Sequence, residues 1–481
     1  MSLDPEDWNA VRAVGHRMID DMLDYQRDAR SRGYWRSVPD AIKANLHEDV
    51  PYRGASLDAV YDAFLKNVLP YPTGNIHPRF WGWVMGTGTT TGMLAALLTA
   101  SMNAHLAGYD QSAALVERQV LRWLNHLMGF PAEASGVLVS GATAANLNGL
   151  LAARQAKAGF DVREEGLYGG PPLTVYGSSE THSWVTKACE TMGLGRRAFR
   201  KVPVDADYRI DVAACRAMML ADRAKGMKPF VVIGNAGTVN TGAVDDLVAL
   251  RALADEMDVW FHIDGAFGAL VAWTKSRDLV KGQETADSLA FDLHKWGYVP
   301  YEVGVILTRD SKAQLAAFQP PANGAKPAYL VSASAGASAD TTYFADRGLQ
   351  LSRSFRALKV WMSFKEQGID RIAQAIQDNI DQAHYLGGLV GKNAELELLA
   401  PVSMNTVCFR YRRPGLDEAA LDAVNRAILV QLQVRGIAVP SQTILNGLFA
   451  IRVCNTNHRS TLADFDALAD AVVALGRELA P

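Results

Sequence analysis

One lysine of the chain stands in an environment that lysine side chains usually avoid. Lys295 lies in the stretch AFDLHKWGYVP, residues 290–300, between a histidine and a tryptophan and just after an apolar run. An ammonium group is costly to bury unless it is paired. Burial also lowers the pKa of a lysine, which favours the neutral amine and makes the side chain a nucleophile. This setting predicts a chemical role for the amine of Lys295.

Four further polar positions follow apolar runs. Asp264 lies in VWFHIDGAFGAL, His182 in SSETHSWVTK and Thr238 in NAGTVNTGAVDD, while LVSGATAANLNG opens a helix at Thr143. Taken singly, Asp264 reads as a helix or turn cap, His182 as a hydrogen-bonded histidine near a helix start, and Thr238 as a turn residue. The helix start has neither G-K-[ST] nor the spacing G-x-G-x-x-G. Its first N–H groups and positive dipole end nevertheless suit a phosphate.

Together, the five positions meet the requirements of pyridoxal phosphate. A lysine amine holds its aldehyde as a Schiff base, a carboxylate keeps its pyridine nitrogen protonated, and a helix N-terminus binds its phosphate. A flat imidazole covers one face of the ring. The chain order, from the helix start through His182 and Asp264 to Lys295, places each group at its own strand end. The sequence therefore predicts a pyridoxal-phosphate enzyme.

A metal site is the alternative for the same region. His262, Asp264 and His294 are candidate ligands, and the first two share one face of a strand. No second cluster completes a coordination shell, so we predict no metal and expect local hydrogen bonds for His262.

The elements that position these residues alternate between strand and helix. β-rich runs such as GVLVSG, LTVYGSS and FVVIGNAGTV are each followed by a helical stretch. This alternation predicts an α/β fold with a mainly parallel sheet, whose ligand lies at the carboxyl ends of the strands. We predict an N-terminal helical segment (residues 1–83), a large cofactor-binding domain (84–375) and a small C-terminal α/β domain (376–481).

Composition narrows the class of protein. The 481 residues are 49% hydrophobic and 21% charged with a formal net charge of −3, which is typical of a globular enzyme and indicates neither nucleic acid nor a membrane as partner. The uncharged segment 81–109 is too interrupted to span a bilayer and favours a buried helix or an interface. The N-terminus lacks the pattern of a secretory signal, and the four cysteines are scattered. We therefore expect a cytoplasmic protein.

The chain resembles the group II pyridoxal-phosphate amino-acid decarboxylases, the family of the aromatic-L-amino-acid, histidine and glutamate decarboxylases. The resemblance runs from Trp8 to the last helix, and its most specific motifs are HPRFWGW, THSWVTKA, GTVNTGAVDD, FHIDGAFGA, ADSLAFDLHKW and SRSFRALKVW. It implies a type I pyridoxal-phosphate transferase-like fold with a seven-stranded sheet. It also implies a homodimer with shared active sites, and the uncharged segment 84–107 suits such an interface.

The resemblance assigns roles residue by residue. It implies that Lys295 is the Schiff-base lysine, that His294 contacts the cofactor and that Asp264 pairs with the pyridine nitrogen. It implies that Ala266 and His182 lie on opposite faces of the ring and that Thr238 lies near the ring substituents. It also implies that Ala142 and Thr143 hold the phosphate. Relatives also place a polar residue at the position of Asp292.

Tyr329, in PAYLVSASAGASAD, matches the tyrosine of the family's mobile catalytic loop. That tyrosine is held to reprotonate the carbanion left when carbon dioxide departs. The alternative is that this segment is a disordered linker. Relatives that convert amino acids to aldehydes tend to carry Phe at this position or Asn at the position of His182. With Tyr329 and His182, the chain has the decarboxylase residue at both positions.

The substrate is the least specified feature. Phe80, Trp81 and Trp83 suit an aromatic pocket, and they suit the core or an interface equally well. Ser352 resembles the residue that accompanies phenolic substrates in some plant relatives. We predict decarboxylation of an L-amino acid, with an aromatic side chain favoured, to the amine and carbon dioxide. The alternatives are aldehyde synthesis or transamination, decarboxylation of glutamate or histidine, and a protein of this fold without turnover.

Overall fold

Helices form the N-terminal part of the chain in the computed structural model, which describes residues 2–320, 333–339 and 343–480. Polar side chains cap these helices: Asp7 accepts the backbone N–H of Asn9, and Thr89 accepts that of Gly92. The helices that precede the first strand are α1 (Trp8–Arg27), α2 (Asp40–Asn45), α3 (Leu57–Asn67), α4 (Thr90–Met102) and α5 (Ser112–Leu127).

A seven-stranded sheet forms the centre of the molecule. Its strands are β1 (Ser135–Val139), β2 (Leu173–Ser178), β3 (Phe199–Val202), β4 (Lys228–Asn235), β5 (Trp260–Asp264), β6 (Ser288–Asp292) and β7 (Gly304–Thr308). They lie in the order β1-β7-β6-β5-β4-β2-β3. Only β7 is antiparallel to its neighbours, β1 and β6, and the other pairs are parallel. The predicted mainly parallel α/β sheet is confirmed.

Helices cover both faces of the sheet, because the strands are apolar on both sides. Along β4, Val231 and Ile233 pack with one group of helices and Val232 packs with another. The helices between the strands and after β7 are α6 (Ala142–Lys157), α7 (Val162–Glu165), α8 (Trp184–Thr191), α9 (Val212–Ala224), α10 (Leu247–Glu256) and α11 (Ser311–Phe318).

The parallel strands end at a common edge. Asn235, the last residue of β4, pairs in register with Asp264, the last residue of β5. Asp264 pairs in turn with Ala290, so β6 runs two residues further and ends at Asp292. Side chains that follow these three strands are therefore brought together at one edge of the sheet.

A smaller antiparallel sheet forms the C-terminal part. Its strands β8 (Leu396–Leu398), β9 (Thr406–Tyr411), β10 (Ser441–Leu445) and β11 (Leu448–Cys454) lie in the order β10-β11-β9-β8. The hairpin between β10 and β11 turns at Asn446 and Gly447, both with positive φ, which is the geometry that an Asn-Gly pair favours. The helices of this part are α14 (Glu418–Val434) and α15 (Leu462–Leu479).

Two further helices connect the sheets: α12 (Ala357–Gln367) and α13 (Ile369–Lys392). The boundary expected at residue 375 lies inside α13, a continuous helix of 24 residues. We therefore propose that α13 joins the two parts rather than ending one of them. Among the described residues, none of the helices has the length and apolar composition that crossing a membrane requires.

Candidate active site

A cavity of about 430 Å³ opens at the carboxyl ends of the parallel strands. Its volume lies within the range of ~300–1,000 Å³ that is typical of small-molecule sites. Several of the residues predicted from the sequence line it together: Ala142, Thr143, His182, Asp264, Ala266, His294 and Lys295.

Lys295 reaches this cavity from the turn that follows β6. Its Nζ lies 3.0 Å from Oδ2 of Asp292, the last residue of that strand. Burial opposes the charged ammonium, but the charge of Asp292 and its hydrogen bond outweigh this, so the pKa of Lys295 lies above its ordinary value. Burial acts in the direction expected from the sequence, but the pKa of the cofactor-free lysine is not lowered, because that expectation omitted the carboxylate three residues earlier.

Asp264 is buried at the end of β5, with both carboxylate oxygens in hydrogen bonds. Oδ1 accepts the backbone N–H of Ala266 at 3.1 Å, and Oδ2 accepts the indole N–H of Trp184 at 2.5 Å. Hydrogen bonds of this kind stabilise the negative charge and fix the direction of the carboxylate.

His182 lies in the loop between β2 and α8. Its Nδ1 accepts the backbone N–H of Trp184 at 3.2 Å, so the neutral ring carries its proton on Nε2. Partial burial and the charge of Lys295 lower the pKa of His182, while the charge of Asp264 opposes this. The lowered pKa favours the neutral imidazole.

The first turn of α6 also lines the cavity. Gly141 is the N-cap of this 16-residue helix, and Ala142 and Thr143 follow it. The backbones pack closely here: a Cβ on Gly304 would lie 2.5 Å from Cα of Gly141, and one on Gly141 would lie 3.3 Å from Cε1 of His294. The helix N-terminus, with its free N–H groups and positive dipole end, is suited to an anion.

The comparisons with known proteins agree with this geometry. The sequence profile of the pyridoxal-dependent decarboxylase conserved domain matches residues 39–412. The chain belongs to the pyridoxal-dependent decarboxylase family. It is 33% identical to an aromatic-L-amino-acid decarboxylase of Bacillus atrophaeus, over 98% of this chain and 96% of the relative.

Two further relatives extend the comparison. An L-2,4-diaminobutyrate decarboxylase of Rhizobium meliloti is 33% identical over 80% of this chain and 75% of its own length. A solved structure of Oryza sativa TDC with PLP and tryptamine superimposes with a TM-score of 0.91 over the whole of both chains, at 24% identity. The type I pyridoxal-phosphate fold expected from the sequence is confirmed.

The decarboxylase is a pyridoxal-phosphate-dependent carboxy-lyase that acts on an amino acid. The residues present fit this cofactor. A helix N-terminus suited to a phosphate, a buried carboxylate and a lysine amine line one cavity, and Oδ1 of Asp292 is buried beside them without a hydrogen-bond partner among the described residues. Bound pyridoxal phosphate accepts the electrons released when a bond to the amino acid's Cα breaks.

The described residues contain no group of three or more His, Cys, Asp or Glu side chains arranged to hold a metal ion. His262, considered as a ligand, is fully buried. Its Nδ1 lies 2.7 Å from Oγ of Ser288 and its Nε2 lies 2.7 Å from Oδ1 of Asn146. Both ring nitrogens thus have local partners, as we expected for this residue.

Other predicted residues lie outside the cavity of this chain. The Thr238 hydroxyl is buried and lies 3.1 Å from that of Thr241, although its neighbours in sequence line the cavity. Trp81 is a core residue that stacks on Phe465 at 4.7 Å, and Phe80 is buried beside Val439.

The last predicted positions are exposed or undescribed. Trp83 is 55% exposed and Ser352 is also exposed, and neither lines the cavity. The sequence placed these aromatic residues near the site because they follow the HP motif, but the chain turns there towards the C-terminal part. Tyr329 falls in residues 321–332, outside the described chain.

The residues that line the cavity without having been singled out from the sequence include Trp184, Asn235 and Tyr301. Asn235 ends β4 in register with Asp264, and the strand-end rule would have found it. The ring of Tyr301 lies 4.4 Å from that of His294. Trp184 reads in sequence as an apolar residue of a helix, and its contact with Asp264 depends on how α8 packs against β5.

Proposed function

We propose that the enzyme decarboxylates an aromatic L-amino acid to the corresponding amine and carbon dioxide. Lys295 binds the aldehyde carbon of the cofactor in this proposal, and Asp264 binds its pyridine nitrogen. The observation that carries the proposal is that both side chains line one cavity together with His182 and the N-terminus of α6.

Asp264 supplies a negative charge that holds a proton on the ring nitrogen. It suits this task because it is buried at a strand end and its two oxygens are oriented by Ala266 and Trp184. A fixed charge in a site of low dielectric interacts more strongly than one in water.

His182 covers the ring and offers a proton donor. Its neutral ring carries the proton on Nε2 because Nδ1 is held by the backbone of Trp184. Tyr329 matches the catalytic tyrosine of the family, and in this proposal its phenolic O–H delivers the proton that replaces carbon dioxide at Cα.

Ala142 and Thr143 in the first turn of α6 would hold the phosphate of the cofactor, with His294 beside them in the cavity. The support for this placement is the aligned N–H groups of that turn and the close approach of Gly141 to His294. Ala266 and His182 would contact opposite faces of the cofactor ring, and Thr238 would shape the turn beside it.

An aromatic substrate is favoured by the walls of the cavity. Val84, Phe267 and Tyr301 contribute apolar surface, and we propose them as substrate contacts in place of the aromatic residues predicted from the sequence. Apart from Lys295, no Lys or Arg lies among the described residues of the cavity, which leaves an acidic side chain without a partner there. Glu302 is paired with Arg356 at 2.9 Å, which weakens it as a partner for a cationic side chain.

We also propose a homodimer with shared sites. The helix α4 exposes Leu97, Leu98 and Met102 on the uncharged segment that the sequence assigned to an interface. Exposed apolar side chains grouped on one helix are typical of an interaction surface. A cytoplasmic location is part of the same proposal, supported by the free and buried state of all four cysteines.

The test is a panel of L-amino acids incubated with the holoenzyme. Tyrosine, phenylalanine and tryptophan are compared with glutamate, histidine and 2,4-diaminobutyrate, and carbon dioxide and amine are measured for each. An aromatic substrate with one carbon dioxide and one amine per turnover supports the proposal, and a preference for a charged amino acid contradicts it. Hydrogen peroxide and ammonia, measured in parallel, would reveal an aldehyde synthase. The Lys295→Ala variant should release no carbon dioxide.

A further inference from the structure

We infer that Trp184 is a positioning residue that sets the carboxylate of Asp264 against the ring nitrogen of the cofactor. The inference rests on the proposed function, because it takes Asp264 to be the partner of that nitrogen. Trp184 is the first residue of α8 and is only 4% exposed. Its indole Nε1 lies 2.5 Å from Oδ2 of Asp264, across the gap between α8 and β5.

Trp184 contacts two of the proposed cofactor-binding groups at once. Its backbone N–H donates to Nδ1 of His182 at 3.2 Å while its indole N–H donates to Asp264. One residue therefore fixes the tautomer of the ring-covering imidazole and the orientation of the carboxylate. A change in the position of α8 would disturb both groups together.

The indole is itself held in place by residues outside the proposed site. The ring of His262 meets it edge to face, with centroids 6.0 Å apart and planes at 80°. His262 is fixed in turn by Asn146 on α6 and Ser288 on β6. A buried donor that is packed in this way directs a carboxylate at little cost in side-chain entropy.

The indole N–H of Trp184 donates a hydrogen bond to the buried Oδ2 of Asp264 and so orients the carboxylate before the cofactor binds. Without the indole N–H, the carboxylate loses one of its two hydrogen bonds and is free to rotate about its last bond. A hydrogen bond to a charged group is strong enough for its loss to weaken binding by about tenfold or more.

The experiment is a double-mutant cycle. The dissociation constant of pyridoxal phosphate is measured for the natural enzyme, Trp184→Phe, Asp264→Ala and the double variant. We expect Trp184→Phe alone to bind about tenfold more weakly than the natural enzyme. We expect the double variant to bind no more weakly than Asp264→Ala, because the indole then has no carboxylate to position. The visible absorbance of the bound cofactor should change in the same direction in both single variants, which a packing role alone would not cause.

Two controls keep the test decisive. Trp361→Phe removes an indole N–H that donates to Gln119 at 2.8 Å, and it should leave the dissociation constant unchanged. If Trp184→Phe does not fold, 3-benzothienylalanine at this position replaces only the N–H by sulfur and keeps the shape of tryptophan. Two results would overturn the inference but leave the role of Asp264 intact. One is a double variant in which the two losses of cofactor affinity add. The other is an unchanged dissociation constant in Trp184→Phe while Asp264→Ala binds the cofactor more weakly. Unchanged binding in Asp264→Ala would overturn the role proposed for Asp264, and the inference with it.

Discussion

Lys295 and Asp292 form the ion pair that controls the reactivity of the cofactor-free site. At 3.0 Å from the carboxylate, the ammonium is favoured over the amine, although burial alone would favour the amine. An aldehyde reacts with the amine and not with the ammonium. The cofactor therefore reacts only with the small fraction of molecules in which Lys295 has lost its proton.

Replacing Asp292 with Asn should therefore make cofactor loading faster at neutral pH. Without the carboxylate, only the smaller effects of Asp264 and Tyr301 oppose the burial of Lys295, so its pKa falls and the amine fraction rises about tenfold for each unit. Stopped-flow absorbance after mixing cofactor-free enzyme with pyridoxal phosphate measures the rate across a range of pH, and its midpoint should shift to lower pH. The exposed Asp378→Asn serves as control for the change in net charge. An unchanged midpoint in Asp292→Asn would contradict this account of Lys295.

The sequence was sufficient to group the polar residues that follow the strands. That Lys295, Asp264 and His182 line one cavity could be predicted, because their residue types are unusual in their local setting and their order matches one cofactor. Trp184 could not, because an indole in a helix is ordinary and its partner is 80 residues away in the chain. The raised pKa of Lys295 was missed for a different reason: Asp292 was noted as polar, but its distance to Nζ depends on the turn after β6.

At the scale of elements, α6 is held close to the sheet by a glycine. A Cβ on Gly149 would lie 2.6 Å from Cε1 of His262, whose ring is fixed on both sides. Gly388, on α13, is also in a helix, but a Cβ there would meet nothing within 4 Å. Both glycines therefore lie within helices, but only Gly149 lacks room for a Cβ atom.

The matched substitutions Gly149→Ala and Gly388→Ala should change stability in opposite directions. Gly149→Ala should lower the free energy of unfolding by about 1–3 kcal/mol, because the added methyl group overpacks a rigid contact. Gly388→Ala should raise it by about 0.5–1 kcal/mol, because alanine favours the helix. Denaturant unfolding of the cofactor-free protein measures both, and equal effects of the two substitutions would show that packing against His262 is not the cause.

The alternation of strands and helices could be predicted because apolar strands between amphipathic helices are typical of parallel sheets. The antiparallel position of β7 was not predicted, since β6 and β7 read alike in sequence and only the short connection through Lys295 reverses the chain. The boundary predicted at residue 375 lies within α13, which continues through it. A helix that continues through the junction between two parts of a chain has no break in its sequence pattern, so the junction is hard to locate from the sequence.

For the whole molecule, we expect the apolar face of α4 to join two copies of the chain. Leu98 is 46% exposed on this helix. Leu98→Glu places a charge in the proposed interface and should lower the mass measured by light scattering from two chains to one, with loss of activity. Val434→Glu, at a 63% exposed position on α14, makes the same chemical change elsewhere and should leave the mass unchanged. A natural enzyme that already has the mass of one chain would contradict the proposal.

Buried neutral histidines should make the fold sensitive to mild acid. Burial lowers the pKa of His262 to about 4, with the charge of Asp264 opposing this, while the unfolded chain takes up the proton near pH 6.5. Stability from this group is present above pH 6.5 and is lost as the pH falls towards 4, at up to about 1.4 kcal/mol per pH unit. Denaturant unfolding of the cofactor-free protein at several pH values should show a shallower decline in His262→Gln. His126→Gln, at an exposed position on α5, should retain the decline, and parallel curves for both variants would argue against this role of His262.

The central claim is that one lysine and one aspartate hold pyridoxal phosphate between them. Borohydride reduction of the holoenzyme fixes the cofactor to the lysine that carries it, and mass spectrometry of the digested protein identifies the modified peptide. We predict the reduced pyridoxyl group on Lys295, within AFDLHKWGYVP, and its absence from Lys295→Ala. A reduced protein without the adduct, or with the adduct on another lysine, would contradict the account.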